Sequence, residues 1–259
     1  MSRTALITAF LTLAFSLPNF AIISNDKDKS PLVEPPEKIP NSTDSLSINL
    51  SADFYTRHIW RGTLTCDSWN IQPTINVSKN NFLFGTWAAY TVDNSYSELD
   101  LYVSYTWRSF SFSILDYFCP NETLKFNRLF DFKQRSTQHT IDAVASYDGS
   151  GKIPVRFMVS TLLYGDDLDP LNNNNLYSTY IEAGYEWKLS SSQLIDFHIG
   201  ITPYKSYYAD SFNIVSCGIA MNQTIHVTEE FSLPITGKLI ANPYTENIFL
   251  VFGISVSNL

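Results

Sequence analysis

Trp69-Asn70-Ile71-Gln72-Pro73-Thr74-Ile75-Asn76-Val77 alternates apolar and polar residues with a period of two. Successive side chains of a strand point to opposite faces, so this stretch predicts a β-strand whose two sides meet unlike surroundings. The same pattern runs outward through the chain. Leu99, Leu101, Val103, Tyr105 and Trp107 alternate with Glu98, Asp100, Tyr102, Ser104 and Thr106. Ile153, Val155, Phe157 and Val159 oppose Arg156 and Ser160. Ile181, Ala183, Tyr185 and Trp187 oppose Glu182, Gly184, Glu186 and Lys188. Ile195, Phe197, Ile199 and Ile201 oppose Asp196, His198 and Thr202, and Ile248, Leu250, Phe252, Ile254 and Val256 close the series. Twelve strands are predicted, over 46–60, 68–79, 82–91, 96–107, 110–118, 137–147, 153–163, 177–188, 193–202, 213–227, 231–241 and 246–257. No helical periodicity of useful length interrupts them.

Composition narrows the classes. Of 259 residues, 44% are hydrophobic and 16% charged, against about 25% charged in an ordinary soluble domain. With 17 basic and 25 acidic residues the net charge is −8. That argues against a nucleic-acid partner, which needs a clustered basic surface. Beyond the extreme N-terminus no apolar run approaches the roughly 20 residues of a membrane helix. A secreted β-protein or a membrane β-barrel remains.

Arg3 followed by the apolar stretch from Ala5 to Leu17 reads as the n- and h-regions of a secretory signal peptide. Ala14-Phe15-Ser16 and Asn19-Phe20-Ala21 are candidate cleavage sites, and the signal peptide is placed at 1–21. An uncleaved anchor helix is the alternative. Residues 22–45 hold Pro31, Pro35, Pro36 and Pro40 among charged and small polar residues, the composition of a flexible linker. The β-domain is then 46–259.

The connections carry the topology. Short turns follow every second strand, at Lys79-Asn80-Asn81, Arg108-Ser109, 148–152, 190–192 and 228–230, whereas 119–136, 164–176 and 203–212 are long. An even strand count with short turns at one end and long loops at the other is the plan of an up-and-down outer-membrane barrel, its short turns periplasmic. The apolar face is nearly free of charge, unlike the outer face of a soluble sandwich. Trp60, Trp69, Tyr90, Trp107, Tyr147, Tyr177, Trp187 and Tyr208 fall near predicted strand ends, where interfacial girdles would place them. Asp116 and His139 break the pattern on the lipid side; they pair at the outer ends of adjacent strands, or a β-bulge after Ile114 turns them away.

The inward face is the candidate functional surface. As pore-lining residues it carries Asp53, Arg57, Glu98, Asp100, Arg108, Asp142, Arg156, Glu182, Glu186, Lys188, Asp196, His198 and Lys238, together with Gln72 and Asn76. Tyr55, Trp87, Tyr102 and Tyr180 are the long inward side chains expected to set the bore. Charges this numerous must pair or meet water, and a lumen supplies both. A plugged interior held by salt bridges is the alternative.

Other constellations are weaker. Cys66, Cys119 and Cys217 show no metal or redox spacing. Cys66 and Cys119 both fall in outer loops, where they are bridged or free, and Cys217 lies mid-strand on the apolar face. His58, His139, His198 and His226 sit on different strands without metal-ligand spacing. No motif supports a catalytic triad. Asp166, Asp167 and Asp169 lie in the most polar loop; a solvated loop is expected over a calcium site, since the closing Glu is missing. Thus no catalytic residue, no metal and no cofactor is assigned.

Several stretches resemble the TorF-type porin family, exported bacterial proteins of mostly unassigned role. They are Ser51-Ala-Asp-Phe-Tyr-Thr-Arg-His-Ile-Trp-Arg-Gly62, Gly85-Thr-Trp-Ala88, Glu98-Leu-Asp-Leu101, Leu115-Asp-Tyr-Phe118, Tyr177-Ser-Thr-Tyr-Ile-Glu182 and Gly200-Ile-Thr-Pro203. Pro234 to Val256, with Asn242-Pro-Tyr-Thr-Glu246 and Val251-Phe-Gly-Ile-Ser255, is the nearest stretch. The resemblance implies an outer-membrane barrel and a passive channel, without catalytic residues; the chain ends in Leu259 rather than the aromatic residue usual there. The expectation is a narrow pore in outer-membrane lipid, passing small solutes or ions with weak cation preference. A non-conducting surface protein working through its outer loops is the second reading, and a membrane-embedded enzyme the last.

Overall fold

The computed structural model describes residues 45–120, 125–149, 153–228 and 231–257. The expected signal peptide at 1–21, and the linker at 22–45 except its last residue, lie outside them. The described residues form β1 (Ser47–Tyr55), β2 (His58–Trp60), β3 (Thr63–Cys66), β4 (Asn70–Lys79), β5 (Phe82–Thr91), β6 (Ser97–Trp107), β7 (Phe110–Phe118), β8 (His139–Tyr147), β9 (Val155–Gly165), β10 (Thr179–Lys188), β11 (Gln193–Thr202), β12 (Asn213–His226), β13 (Ser232–Asn242) and β14 (Asn247–Ser257). Twelve of these close into one antiparallel barrel. Each pairs with its neighbour in sequence, and β1 pairs with both β4 and β14, so the ring has no free edge. Closure excludes the sandwich and satisfies every strand through inter-strand bonds, the requirement for crossing a membrane with sheet.

The period-two reading of the faces holds through the ring. On β14, Ile248, Leu250, Phe252 and Ile254 are exposed on the outside, while Phe249, Val251 and Ser255 are buried inside. On β4, Asn70, Gln72 and Asn76 are buried in the lumen, and Ile75 is exposed outside. The outer surface is a belt of large apolar side chains, including Leu50, Phe84, Leu101, Phe112, Phe157 and Ile199. Soluble monomers rarely expose so continuous an apolar surface.

The first strand departs from expectation. It was predicted to run to residue 60, but it ends at Tyr55, and residues 58–66 form a separate two-stranded hairpin of β2 and β3. The segment after β1 is therefore a folded element of its own rather than a continuation of the first strand. Trp60 pairs with Thr63 across a two-residue turn in which Arg61 and Gly62 both have positive φ, 49° and 78°. Such turns twist in the sense that antiparallel strands require. No bulge follows Ile114, since β7 keeps unbroken register with β6 and β8. Register shifts lie instead at Ile141/Asp142 and Gly200/Ile201.

Candidate functional site: the lumen and its inward hairpin

The β2–β3 hairpin folds into the loop end of the lumen. His58 lies against the inward Trp87 of β5, with ring centroids 5.4 Å apart, and 3.1 Å from Gln72 of β4. Trp60 meets the edge of the inward Tyr117 of β7 at 5.7 Å. At the tip, Asn242 of β13 donates to the Gly62 carbonyl at 3.1 Å. A Cβ on Gly62 would stand 2.0 Å from the Val215 carbonyl oxygen of β12, so only glycine fits that approach. The hairpin thus leaves the wall between β1 and β4 and reaches strands on the far side of the bore.

Arg61 anchors it. Its Nη2 lies 2.7 Å from Oδ2 of Asp142 on β8, and its Nη1 donates to the Tyr208 hydroxyl at 2.7 Å. The guanidinium also sits over the Trp60 ring, 4.5 Å from its centroid. Asp142 further accepts from the Ser160 hydroxyl at 2.7 and 2.8 Å and from the Tyr117 hydroxyl at 3.0 Å. Both partners are buried, with side-chain exposures of 3% and 0%. Burial at this depth weakens solvent screening, so the pair is costly to break from one side.

Around this anchor the lumen is apolar. Leu115, Val144, Met158, Tyr180, Tyr208, Ala209 and Val215 form a buried cluster, against which Trp60, Tyr102 and Tyr117 pack. Tyr208 and Ala209 belong to the 203–212 loop, so two loop-end segments fill this half of the bore. Trp60 and Tyr208 were expected in a lipid girdle; both lie inside instead. Trp69, Tyr90, Trp107 and Tyr177 are exposed at strand ends, as a girdle requires.

Most of the expected lumen charges face inward. Asp53 lies opposite Ser255 across the β1–β14 pair, and Lys238 sits 4.7 Å from the Tyr55 ring centroid. Tyr55 itself packs over Gly253, where a Cβ would come within 2.1 Å of its ring. Asp100 pairs across the wall with Trp87, and Glu98, one turn of the pleat away, accepts from the Tyr96 hydroxyl. Toward the turn end, Arg156 bridges Glu186 at 3.0 Å and Asp196 at 2.8 Å. Glu182 accepts from Tyr180 at 2.6 Å, and His198 lies 2.9 Å from the Ser216 hydroxyl. Lys188 shares the inward register of β10.

Two expected pore residues are not on the wall. Arg57 pairs with Asp67 at 2.8 Å, because β1 ends at Tyr55, two residues before it. Arg108 occupies the β6–β7 turn with φ 59°, exposed over Trp107, where parity no longer assigns a face. Sequence reasoning missed Arg61. The available signal was the loss of apolar alternation after Phe54, followed by Gly62 in a two-residue turn position.

The remaining sequence candidates have ordinary partners. Cys66 and Cys119 are free, the first buried and the second exposed, and Cys217 faces outward half-buried. Asp169 bonds Lys205 at 2.8 Å and accepts from the Leu171 amide, which holds its carboxyl below the usual range. Asp167 accepts from the Ser178 hydroxyl and amide, while burial pushes its carboxyl up. On the outer wall His139 and Asp116 do pair, with Nδ1 2.9 Å from Oδ1.

No protein-family model and no curated protein matches the chain. Among solved structures it is similar to the KdgM porin, at 6% identity and a TM-score of 0.46, covering 82% of this chain and 98% of that one. It is also similar to the NanC porin, at 8% identity and a TM-score of 0.45, covering 82% and 99%. A mutant of the Rhodopseudomonas blastica porin aligns at 8% identity and a TM-score of 0.35, over 83% and 100%.

Proposed function

We propose that the chain is an outer-membrane barrel acting as a narrow passive pore for small solutes, with the β2–β3 hairpin as its constriction. One observation carries the reading: a closed barrel whose outside is a predominantly apolar belt and whose inside holds most of the wall charges. Lipid accepts the first surface and water the second. The TorF-type resemblance agrees with it. Twelve strands lie between barrels filled by side chains and those with wide channels, and here the hairpin narrows the bore further.

The lumen charge sets selectivity. With Arg57 and Arg108 off the wall, seven inward acids remain: Asp53, Glu98, Asp100, Asp142, Glu182, Glu186 and Asp196. Four inward bases face them: Arg156, Lys188 and Lys238 on the wall and Arg61 on the hairpin. Arg61 is paired with Asp142 and Arg156 with Asp196, so the net excess of acids is modest. A small conductance with weak cation preference follows, fading as salt screens the field.

The apolar cluster around the hairpin tip favours a second reading, in which the lumen is closed and the outer loops bind a surface ligand. Planar-bilayer recording separates the two. Conductance from folded wild-type protein, shifting toward anions when Glu98→Gln, Asp100→Asn and Glu182→Gln are combined, supports the pore. Silence from the wild type, with conductance only after Arg61→Ala, establishes the closed lumen.

A further inference from the structure

The segment after β7 folds over the outside of the wall, opposite the hairpin. Register places Asp116, His139 and Tyr164 on the outward face, since Asp116 pairs with Leu101 and Ile141, and Ile141 with Tyr164. His139 Nε2 lies 2.8 Å from the Leu129 carbonyl oxygen, and the Tyr164 hydroxyl donates to the Phe132 carbonyl at 2.6 Å. The His139 ring is stacked between Phe118 at 4.5 Å and Phe132 at 4.3 Å. The Asp116–His139 pair is thereby covered by aromatic rings rather than left against the apolar belt. Gln134 extends the attachment to Asn175 at 2.6 Å.

What this strap presents outward is distinctive. Lys125, Arg128, Lys133 and Arg135 place four of the chain's 17 Lys and Arg residues within eleven positions of a protein whose net charge is −8. Asp131, the acid within that span, lies 3.9 Å from Arg128. Between the bases, Phe126 and Phe130 are 73% and 88% exposed. Basic side chains interleaved with exposed aromatics, lying on a lateral wall at the edge of an apolar belt, fit a lipid interface. Lysine and arginine there are drawn to anionic headgroups.

We propose that residues 125–135 dock anionic membrane phospholipids, the four bases meeting the uncompensated headgroup phosphates and the two phenylalanines entering the acyl boundary. The proposal rests on the membrane-barrel reading, not on conduction. The lateral position favours a lipid over a soluble partner, because the strap continues the surface that lipid covers.

The test uses the folded full chain in vesicles of phosphatidylcholine with and without phosphatidylglycerol of the same acyl chains, with lipid retention read by native mass spectrometry. Wild-type protein should retain phosphatidylglycerol preferentially, and inorganic phosphate should not displace it. The combined variant Lys125→Gln, Arg128→Gln, Lys133→Gln, Arg135→Gln should lose that preference by about tenfold or more, at about half the logarithmic effect for Lys125→Gln with Lys133→Gln alone. Phe126→Ser with Phe130→Ser should weaken both lipids alike. Equal retention of the two lipids by wild type, or an unchanged preference in the fourfold variant, overturns the proposal. A conductance failure with lipid preference intact counts against the pore alone. A wild type that enters no vesicle sinks the membrane reading and this proposal together.

Discussion

The hairpin at 58–66 and the strap at 125–138 both leave the loop end of the barrel, yet one enters the lumen and the other lies on the outer wall. The hairpin is held by an acid–base pair and the strap packs over one that belongs to the wall, and the two pairs share strand β8. Asp142 faces inward to Arg61, and His139 faces outward to Asp116. What differs is the company. Arg61 of the hairpin donates to Asp142 and to the Tyr208 hydroxyl, Asp142 also accepts from the Ser160 and Tyr117 hydroxyls, and an apolar cluster seals the site. The strap stacks Phe132 on the His139 ring and offers two backbone carbonyls, of Leu129 and Phe132, to His139 and Tyr164, and its outer side stays exposed. A loop therefore follows the face on which its own polar groups find complementary partners, and the depth of burial sets how firmly it is held.

The strongest way to break the contrast is Arg61→Ala. Removing one partner of a buried pair leaves Asp142 charged and partly unsatisfied, so a loss of about 3–5 kcal/mol in hairpin anchoring is expected. Urea titration of the detergent-folded protein, with protease cleavage at the hairpin as local readout, measures it. Asp142→Asn should act in the same direction and the double change should be far from additive.

Next in size is the wall itself. Ile254→Arg places a charge on the outward apolar face of β14 and, on the membrane reading, should cost roughly 2–4 kcal/mol. Ser255→Arg, facing the lumen, should cost less. Folding titrations into lipid vesicles compare them, and equal losses would show that the two faces are wrongly assigned.

A smaller effect sharpens the role of the hairpin turn. Gly62→Ala puts a Cβ at φ 78° and 2.0 Å from the Val215 carbonyl oxygen. The left-handed conformation alone costs about 1–2 kcal/mol, and the tip must also withdraw from β12. Faster amide exchange at 58–66, with barrel strands unchanged, is the expected signature.

The smallest effect belongs to the strap. His139→Phe keeps the stacking but loses the bonds to Asp116 and Leu129, which should cost about 1 kcal/mol. Proteolysis within 125–138 should accelerate while hairpin cleavage and conductance stay as in wild type. Coupled changes in both segments would mean that β8 transmits between them.

Alternation with period two, punctuated by turn residues, was enough to place eleven of the strands within about two residues and to give each its inward face. That information is local, because a strand's two faces are set by its own pleat. The same alternation placed Asp116 and His139 together outside. It failed at 56–60, where Thr56, Arg57 and His58 no longer alternate, and at Arg108, where a turn removes parity. The path of the hairpin rests on contacts between residues far apart in the chain: Arg61 with Asp142, Gly62 with Asn242 and Val215. The strap rests on Leu129 and Phe132 meeting His139 and Tyr164 across the wall. No periodicity records such pairings. Barrel and faces were therefore legible in the amino-acid sequence, whereas the direction of each loop was decided only when closure brought distant strands to opposite sides of one bore.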